Sequence, residues 1–222
     1  LIEEIRQNIE RIRMDLPEDV TLLVVSKTRS VEEILEAYSC GVRDFGENKV
    51  QELLEKKAVL PEDIRWHMIG GLQSNKAKKV TGETRLIHSL DRPELAKALE
   101  KSAEKKDITV DALIEVNIGE EASKSGVHEN DLQALTDYLG TCSHIRVRGL
   151  MAVIPQGDRE HNLRYFRRMK QLFENLKSIR RQNFSMEILS MGMTGDYREA
   201  IEAGSNMVRV GEGIFGKRNY NK

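Results

Sequence analysis

The chain has 222 residues, enough for one α/β barrel or two small domains with a sizeable core. Its 35 basic and 36 acidic residues leave a formal charge of −1, so no bulk field points to nucleic acid or to an anionic membrane. Charged residues make up 32% and aromatics only 5%, which excludes a base-stacking platform and fits solvated helix faces around a packed core.

Leu1 to Asp15 reads as a charged amphipathic helix, with Ile2, Ile5, Ile9 and Ile12 at helical spacing, and not as a signal peptide. No apolar run approaches the ~20 residues of a membrane span, and a cytoplasmic location is expected. After Leu16-Pro17, the stretch Val20 to Thr28 reads as a strand buried on both faces, with Lys27 at its C-terminal end. Lysines often end strands because the stem packs while the head reaches water. A lysine desolvated at that place can instead become a neutral amine that attacks an aldehyde and forms a Schiff base.

The chain then alternates. A helix over Val31 to Tyr38, capped by Ser30 with Glu33, leads to a strand over Val42 to Phe45 that delivers Gly46-Glu47-Asn48. A helix from Lys49 to Ala58 precedes the strand Arg65 to Ile69, which ends in Gly70-Gly71, and a helix follows over Ser74 to Val80. Next come a strand over Arg85 to Ser89 ending at Asp91, a helix over Pro93 to Lys106, and a strand over Val110 to Asn117. A Gly/Ser-rich loop through Gly119 and Ser123-Lys124-Ser125-Gly126 leads to a helix over Asn130 to Gly140 and a strand over Val147 to Ala152. The remaining elements are a helix over Glu160 to Arg181, a strand over Met186 to Ser190, a short helix over Tyr197 to Ala203, and a strand over Met207 to Val210 ending in Gly211.

Eight short strands alternating with helices, with no composition break, predict one (β/α)8 TIM-type barrel domain over residues 1–222. With no room for an eighth helix, the N-terminal helix is expected to cover the last seam. In a barrel the strand ends converge on one mouth, here Lys27; Glu47 and Asn48; His67 with Gly70; Ser89 with Asp91; Asn117; Met151; Ser190 and Met191; and Arg209 with Gly211.

Barrels often hold phosphate in the loops after strands seven and eight, here Ser190-Met191-Gly192-Met193 and Gly211-Glu212-Gly213. Glycines let backbone approach a ligand, and the Ser190 hydroxyl can donate to a phosphate oxygen. A phosphorylated aldehyde facing Lys27 satisfies both halves of the mouth, and pyridoxal 5′-phosphate (PLP) is the candidate. The glycines alone read equally well as tight turns. Cys40 and Cys142 read as free thiols, and the five histidines show no metal-type spacing, so no metal is expected. No GxxxxGK or GxGxxG motif occurs, and the Lys76, Lys78, Lys79 run reads as a solvated helix face.

Val25-Ser26-Lys27-Thr28, Phe45-Gly46-Glu47-Asn48, Trp66-His67-Met68-Ile69-Gly70, Leu72-Gln73-Ser74-Asn75-Lys76, Ser123-Lys124-Ser125-Gly126, Leu189-Ser190-Met191-Gly192-Met193 and Arg209-Val210-Gly211 follow one another over essentially the whole chain. In this order they resemble the YggS/PROSC family of PLP-homeostasis proteins. The resemblance implies a fold-type III PLP barrel, similar to the N-terminal domain of alanine racemases. It implies that Lys27 holds PLP as a Schiff base, that Ser190 and the amides of Met191, Gly211 and Glu212 hold the phosphate, and that Asn48 lies near the ring. Arg209 would face the pyridine nitrogen, and a guanidinium can only donate, so the ring would be a poor electron sink.

Two departures from the family pattern stand out. Gly71 replaces a common histidine or asparagine, and Glu212 replaces a usual Thr or Ser, so Glu212 is expected to turn outward and offer only its N–H.

The implied function is a PLP carrier or regulator without catalytic residues, working as a monomer, with apo PLP-dependent enzymes as recipients. The alternative is an amino-acid racemase-like enzyme, which needs a second acid/base group that the sequence up to Lys222 does not offer at the mouth. A class I aldolase would form its imine with substrate and purify colourless.

Overall fold

Ile5, Ile9 and Ile12 bury one face of α1 (Ile2–Asp15), whereas Ile2, expected in the same stripe, is exposed at the helix start. In the computed structural model, which describes residues 2–217, the strands are β1 (Thr21–Val25), β2 (Asp44–Glu47), β3 (Arg65–Met68), β4 (Leu86–Leu90), β5 (Val110–Glu115), β6 (Ile145–Ala152), β7 (Phe184–Met191) and β8 (Met207–Val210). Each pairs in parallel with the next, and β8 pairs with β1 to close the barrel. The crossovers run through α2 (Val31–Ser39), α3 (Val50–Lys57), α4 (Ala77–Val80), α5 (Pro93–Lys106), α6 (Glu129–Leu139), α7 (Arg159–Ser178) and α8 (Tyr197–Glu202).

The expected helix over Ser74 to Val80 splits into a 3-10 turn at Ser74–Lys76 followed by α4. After β8 comes a one-turn helix, α9 (Glu212–Phe215), that the sequence did not suggest. The expected helix to Arg181 stops at Ser178, because Ile179 is already extended.

The side chains separate by strand alternation into two cores. Leu23, Leu86, Leu113, Met151 and Met207 fill the inside of the barrel, with Val25, Ile69, Val153 and Ile188 against them. Val24, Phe45, Trp66, Met68, Ile87, Ile114, Leu150 and Val208 face the helices. α1 covers the seam between β8 and β1. It packs on α2 and α9, Asn8 Nδ2 donates to the Ile214 carbonyl (2.9 Å), and Asp15 accepts from Tyr197 Oη and Arg198 Nη2 (2.6 Å each).

Candidate functional site

β1 stops at Val25, so Lys27 sits half-buried in the turn beyond the strand. Thr28 closes that turn at φ 64°, a left-handed conformation uncommon for a β-branched residue. The turn is held from both sides. Lys56 Nζ donates to the Ser26 carbonyl (2.6 Å), to Glu47 Oε1 (2.6 Å) and to Glu52 Oε1 (2.7 Å). Glu52 Oε1 in turn accepts from the Thr28 N–H (2.6 Å), and Ser26 Oγ donates to Glu47 Oε1 (2.6 Å). Burial pushes the Glu47 carboxyl up, against the pull of Lys56 and Ser26.

Glu47, expected at the mouth, therefore belongs to the wall between barrel and α3. The strand pleat explains it. Gly46 faces the barrel interior, where an added Cβ would meet Leu23 and Ile69, so Phe45 and Glu47 on either side face the helices. Asn48 continues on the mouth side of β2 and is backed by Gly70, whose Cβ position lies 2.3 Å from the Asn48 carbonyl oxygen. Any side chain at position 70 would displace Asn48.

The two phosphate-type loops meet beside Lys27. Gly211 lies against the end of β1, with its Cβ position 3.3 Å from the Val25 carbonyl oxygen. Gly213 donates its N–H to Thr194 Oγ1 (3.1 Å), tying the loop after β8 to the loop after β7. Gly192 adopts φ 101°, and an added Cβ there would lie 2.7 Å from Ala200 Cβ, so the loop needs glycine to pack on α8. Glu212 is exposed, and the Met191 side chain is buried among the helices.

Arg209 is buried inside the barrel, where its Nη1 donates to Ser190 Oγ (2.7 Å) and its Nη2 to the Ala152 carbonyl (2.9 Å). Burial lowers its pKa to about 10, with Glu115 and Asp196 opposing the drop, so it stays a cation at neutral pH. A guanidinium can only donate, so Ser190 Oγ accepts from it and keeps its own hydrogen available for Nδ1 of His88, 3.1 Å away. The donor expected to reach a phosphate oxygen points into the barrel.

A carboxyl that the sequence reasoning passed over joins this set. Leu113 packs inside the barrel, and Glu115, two residues on, shares its face. Its Oε1 accepts from Ser125 Oγ (3.3 Å), while the buried Oε2 has no hydrogen-bond partner among the described residues. Burial and the charge of Asp91 push this carboxyl up to about 7, although Arg209 and Ser125 pull the other way.

A carboxyl raised in the fold is held neutral more readily than in the unfolded chain. Stability should therefore fall as pH rises from about 4.5 through about 7. Glu115→Gln should remove that slope and stabilise the protein at pH 8 by on the order of 3 kcal/mol. Urea melts across this range measure it, and an unchanged slope would mean that Arg209 already compensates the charge.

Other expected mouth residues have structural work. His67 lies mid-barrel, hydrogen-bonded to His88 and Asp44. Asn117 folds its own loop, donating to the carbonyls of Glu121 and Lys124, and Lys124 pairs with Glu121 at 2.5 Å. Asp91 accepts from the Gly126 N–H (3.1 Å), and Gly71 leaves open space up to Ser125 Oγ, 4.0 Å from its Cβ position. Lys56 had a readable signal. It recurs with Val50 and Leu53 on the buried face of α3, where a lysine is out of place unless paired.

Residues 2–219 match the family described as alanine racemase, N-terminal domain. The chain is 44% identical over 201 residues to a pyridoxal phosphate homeostasis protein of Aquifex aeolicus, covering 90% of this chain and 87% of that one. It is 39% identical over 210 residues to the protein of the same description in Escherichia coli, covering 93% and 89%. The solved structures of PipY from Synechococcus elongatus superimpose with TM-scores of 0.90 without PLP and 0.87 with PLP bound, at 33% identity over 96% of this chain and 100% of theirs. Alanine racemase of Clostridium difficile shares the fold alone, with a TM-score of 0.82 at 14% identity over 99% of this chain and 58% of that one.

Proposed function

The chain belongs to the family of the pyridoxal phosphate homeostasis proteins, and from that premise we propose that it holds PLP covalently through the Lys27 amine and passes it to apo PLP-dependent enzymes. The observation that carries the reading is the meeting of a clamped, left-handed lysine turn with a loop that opens on Gly211. Gly211 lies on the β1 end that leads into Lys27, so a phosphate and an aldehyde on one small ligand can be reached together.

When bound, PLP supplies an aldehyde that one amine can hold and another can take over. In this reading the backbone at Met191, Gly211 and Glu212 holds the phosphate. Asn48 flanks the ring, and Arg209, a permanent donor, faces the ring nitrogen and keeps it from gaining a proton. Ser190 acts here by fixing Arg209. All of these groups come from one chain, so a monomer suffices to complete the site. No helix among the described residues is long and apolar enough to cross a membrane.

The test is a PLP titration followed by borohydride reduction and intact-mass measurement. Wild type should develop a visible absorption band and, after reduction, one added pyridoxyl phosphate mass. Lys27→Ala should show neither. Equal labelling of both proteins would move the attachment point elsewhere. Alanine racemisation by the loaded protein, lost in Glu115→Gln, would overturn the carrier reading in favour of the racemase alternative.

A further inference from the structure

Barrel interiors of this type are ordinarily filled by layers of branched apolar side chains. Here the interior carries a line of polar ones from mouth to base. Arg209 Nη1 lies 2.7 Å from Ser190 Oγ, Ser190 Oγ 3.1 Å from His88 Nδ1, His88 Nε2 2.9 Å from His67 Nδ1, and His67 Nε2 2.9 Å from Asp44 Oδ1. The members come from β8, β7, β4, β3 and β2, and Ser190, His88, His67 and Arg209 are all buried.

Both ends of this line have a single hydrogen-bonding sense. Arg209 only donates, so Ser190 accepts from it, which leaves its own hydrogen available for His88 Nδ1. His88 then carries its proton on Nε2 and donates to His67 Nδ1, which puts the His67 proton on Nε2, facing Asp44. At the far end Asp44 demands the same order. Burial opposes its ionisation, yet His67 and Arg65 together hold it down to about 2, so it accepts throughout the neutral range. Arg65 donates to both Asp44 oxygens (3.0 and 2.7 Å) and anchors that end. Burial lowers the pKa of both histidines, which keeps each ring neutral with one donor and one acceptor.

We propose that His88 is a positioning residue: it closes a one-way hydrogen-bond chain, Arg209 to Ser190 to His88 to His67 to Asp44, that locks the Arg209 guanidinium at the ring-binding side of the mouth. Without an acceptor at His88, the buried Ser190 hydroxyl hydrogen would lose its partner, and nothing would hold the hydroxyl in the orientation that accepts from Arg209. The chain thus explains why a serine buried in the barrel can serve a buried cation as an oriented acceptor. The assignment of Arg209 to the ring rests on the function proposed above, whereas the direction of the chain does not.

The experiment therefore has two arms. On the PLP-free protein, 15N NMR of the imidazoles between pH 6 and 8 should show His88 and His67 both neutral and protonated on Nε2. The Arg209 Nη–H signals should be resolved in wild type, averaged by rotation in His88→Leu, and resolved again in His88→Gln, whose amide can accept from Ser190 and donate to His67. In the second arm, PLP affinity should fall about tenfold in His88→Leu, the loss expected for one hydrogen bond to a charged group, and be largely restored in His88→Gln.

His88 protonated on Nδ1, or cationic, would overturn the chain in wild type even if His88→Leu failed to fold. Leu and Gln variants that behave alike would overturn the positioning role. If Lys27→Ala bound PLP as wild type does, the function reading would fail while the NMR arm still decided the chain.

Discussion

Gly149→Ala is expected to lower stability by about 4 kcal/mol or more, enough to cost roughly 8–16 °C of melting temperature in a chain of this size. Gly149 sits in β6 at φ 154°, where an added Cβ would come within 1.7 Å of the Ile188 carbonyl oxygen and 2.7 Å of its carbon. The obstacle is backbone, and it cannot rotate away. Ile188 is the residue that pairs with Gly149 across to β7, and the β6 register shifts between Val147 and Gly149 on that side and between the same positions toward β5.

Against β5 the shift makes Arg148 the extra residue of a bulge, whereas against β7 the extra residues lie on β7 between Phe184 and Ile188, and such insertions bend a strand and re-aim its side chains. Arg148 then bonds Asp111 Oδ2 (2.8 Å) and Glu187 Oε2 (2.7 Å). An alanine must either break the β6–β7 ladder or slide β6, which would turn its side chains to the wrong core. Calorimetry or urea melts check this, and a loss below about 1 kcal/mol would show that β6 relaxes around the methyl group.

Lys56→Met should destabilise by about 3–5 kcal/mol at pH 7, the range for removing one partner of a buried ion pair. Glu47 is fully buried, and Lys56 is its cation at 2.6 Å. Without Lys56 the carboxyl keeps one hydrogen bond, from Ser26, and Oε2 already has no partner among the described residues.

The sign with pH follows from burial, which already raises this carboxyl. A raised acid is stable in its neutral form, so the Lys56→Met penalty should shrink as pH falls and the carboxyl takes up a proton. Adding Glu47→Gln to Lys56→Met should recover most of the loss, because no buried charge remains. A functional effect should persist in that double variant. Lys56 also grips the Ser26 carbonyl and Glu52, and Glu52 holds the Thr28 N–H, so the Lys27 turn should load PLP more weakly even in a well-folded protein. Full recovery of loading would confine Lys56 to charge balance.

Much of the architecture is local and was readable in the chain. The isoleucine stripe of α1, the Ser30–Glu33 capping box of α2 and the apolar strand runs depend on periodicity and short-range hydrogen bonding. Their number and order imply the barrel, and the barrel puts Lys27, Asn48, Arg209 and the two glycine loops at one end. The one-turn α9 and the broken helix at Ser74 were not readable, because segments this short take their form from their neighbours.

Two acidic strand ends mark the boundary between sequence and structure. Glu47 and Glu115 each close a strand of the barrel, and nothing in the flanking residues tells them apart. In the fold, Glu47 faces the helices and pairs with Lys56, while Glu115 faces the barrel interior with no cation paired to it among the described residues. The polar line from Arg209 to Asp44 likewise joins residues up to 165 positions apart that no local pattern connects. By itself the sequence determined the strands and the barrel and set Lys27 just past the first strand, since these follow from local periodicity and order. Only the tertiary structure decided which side chains face inward, because the pleat has period two and a one-residue shift in pairing, such as the bulge of β6 against β5 before Gly149 provides, exchanges wall for interior.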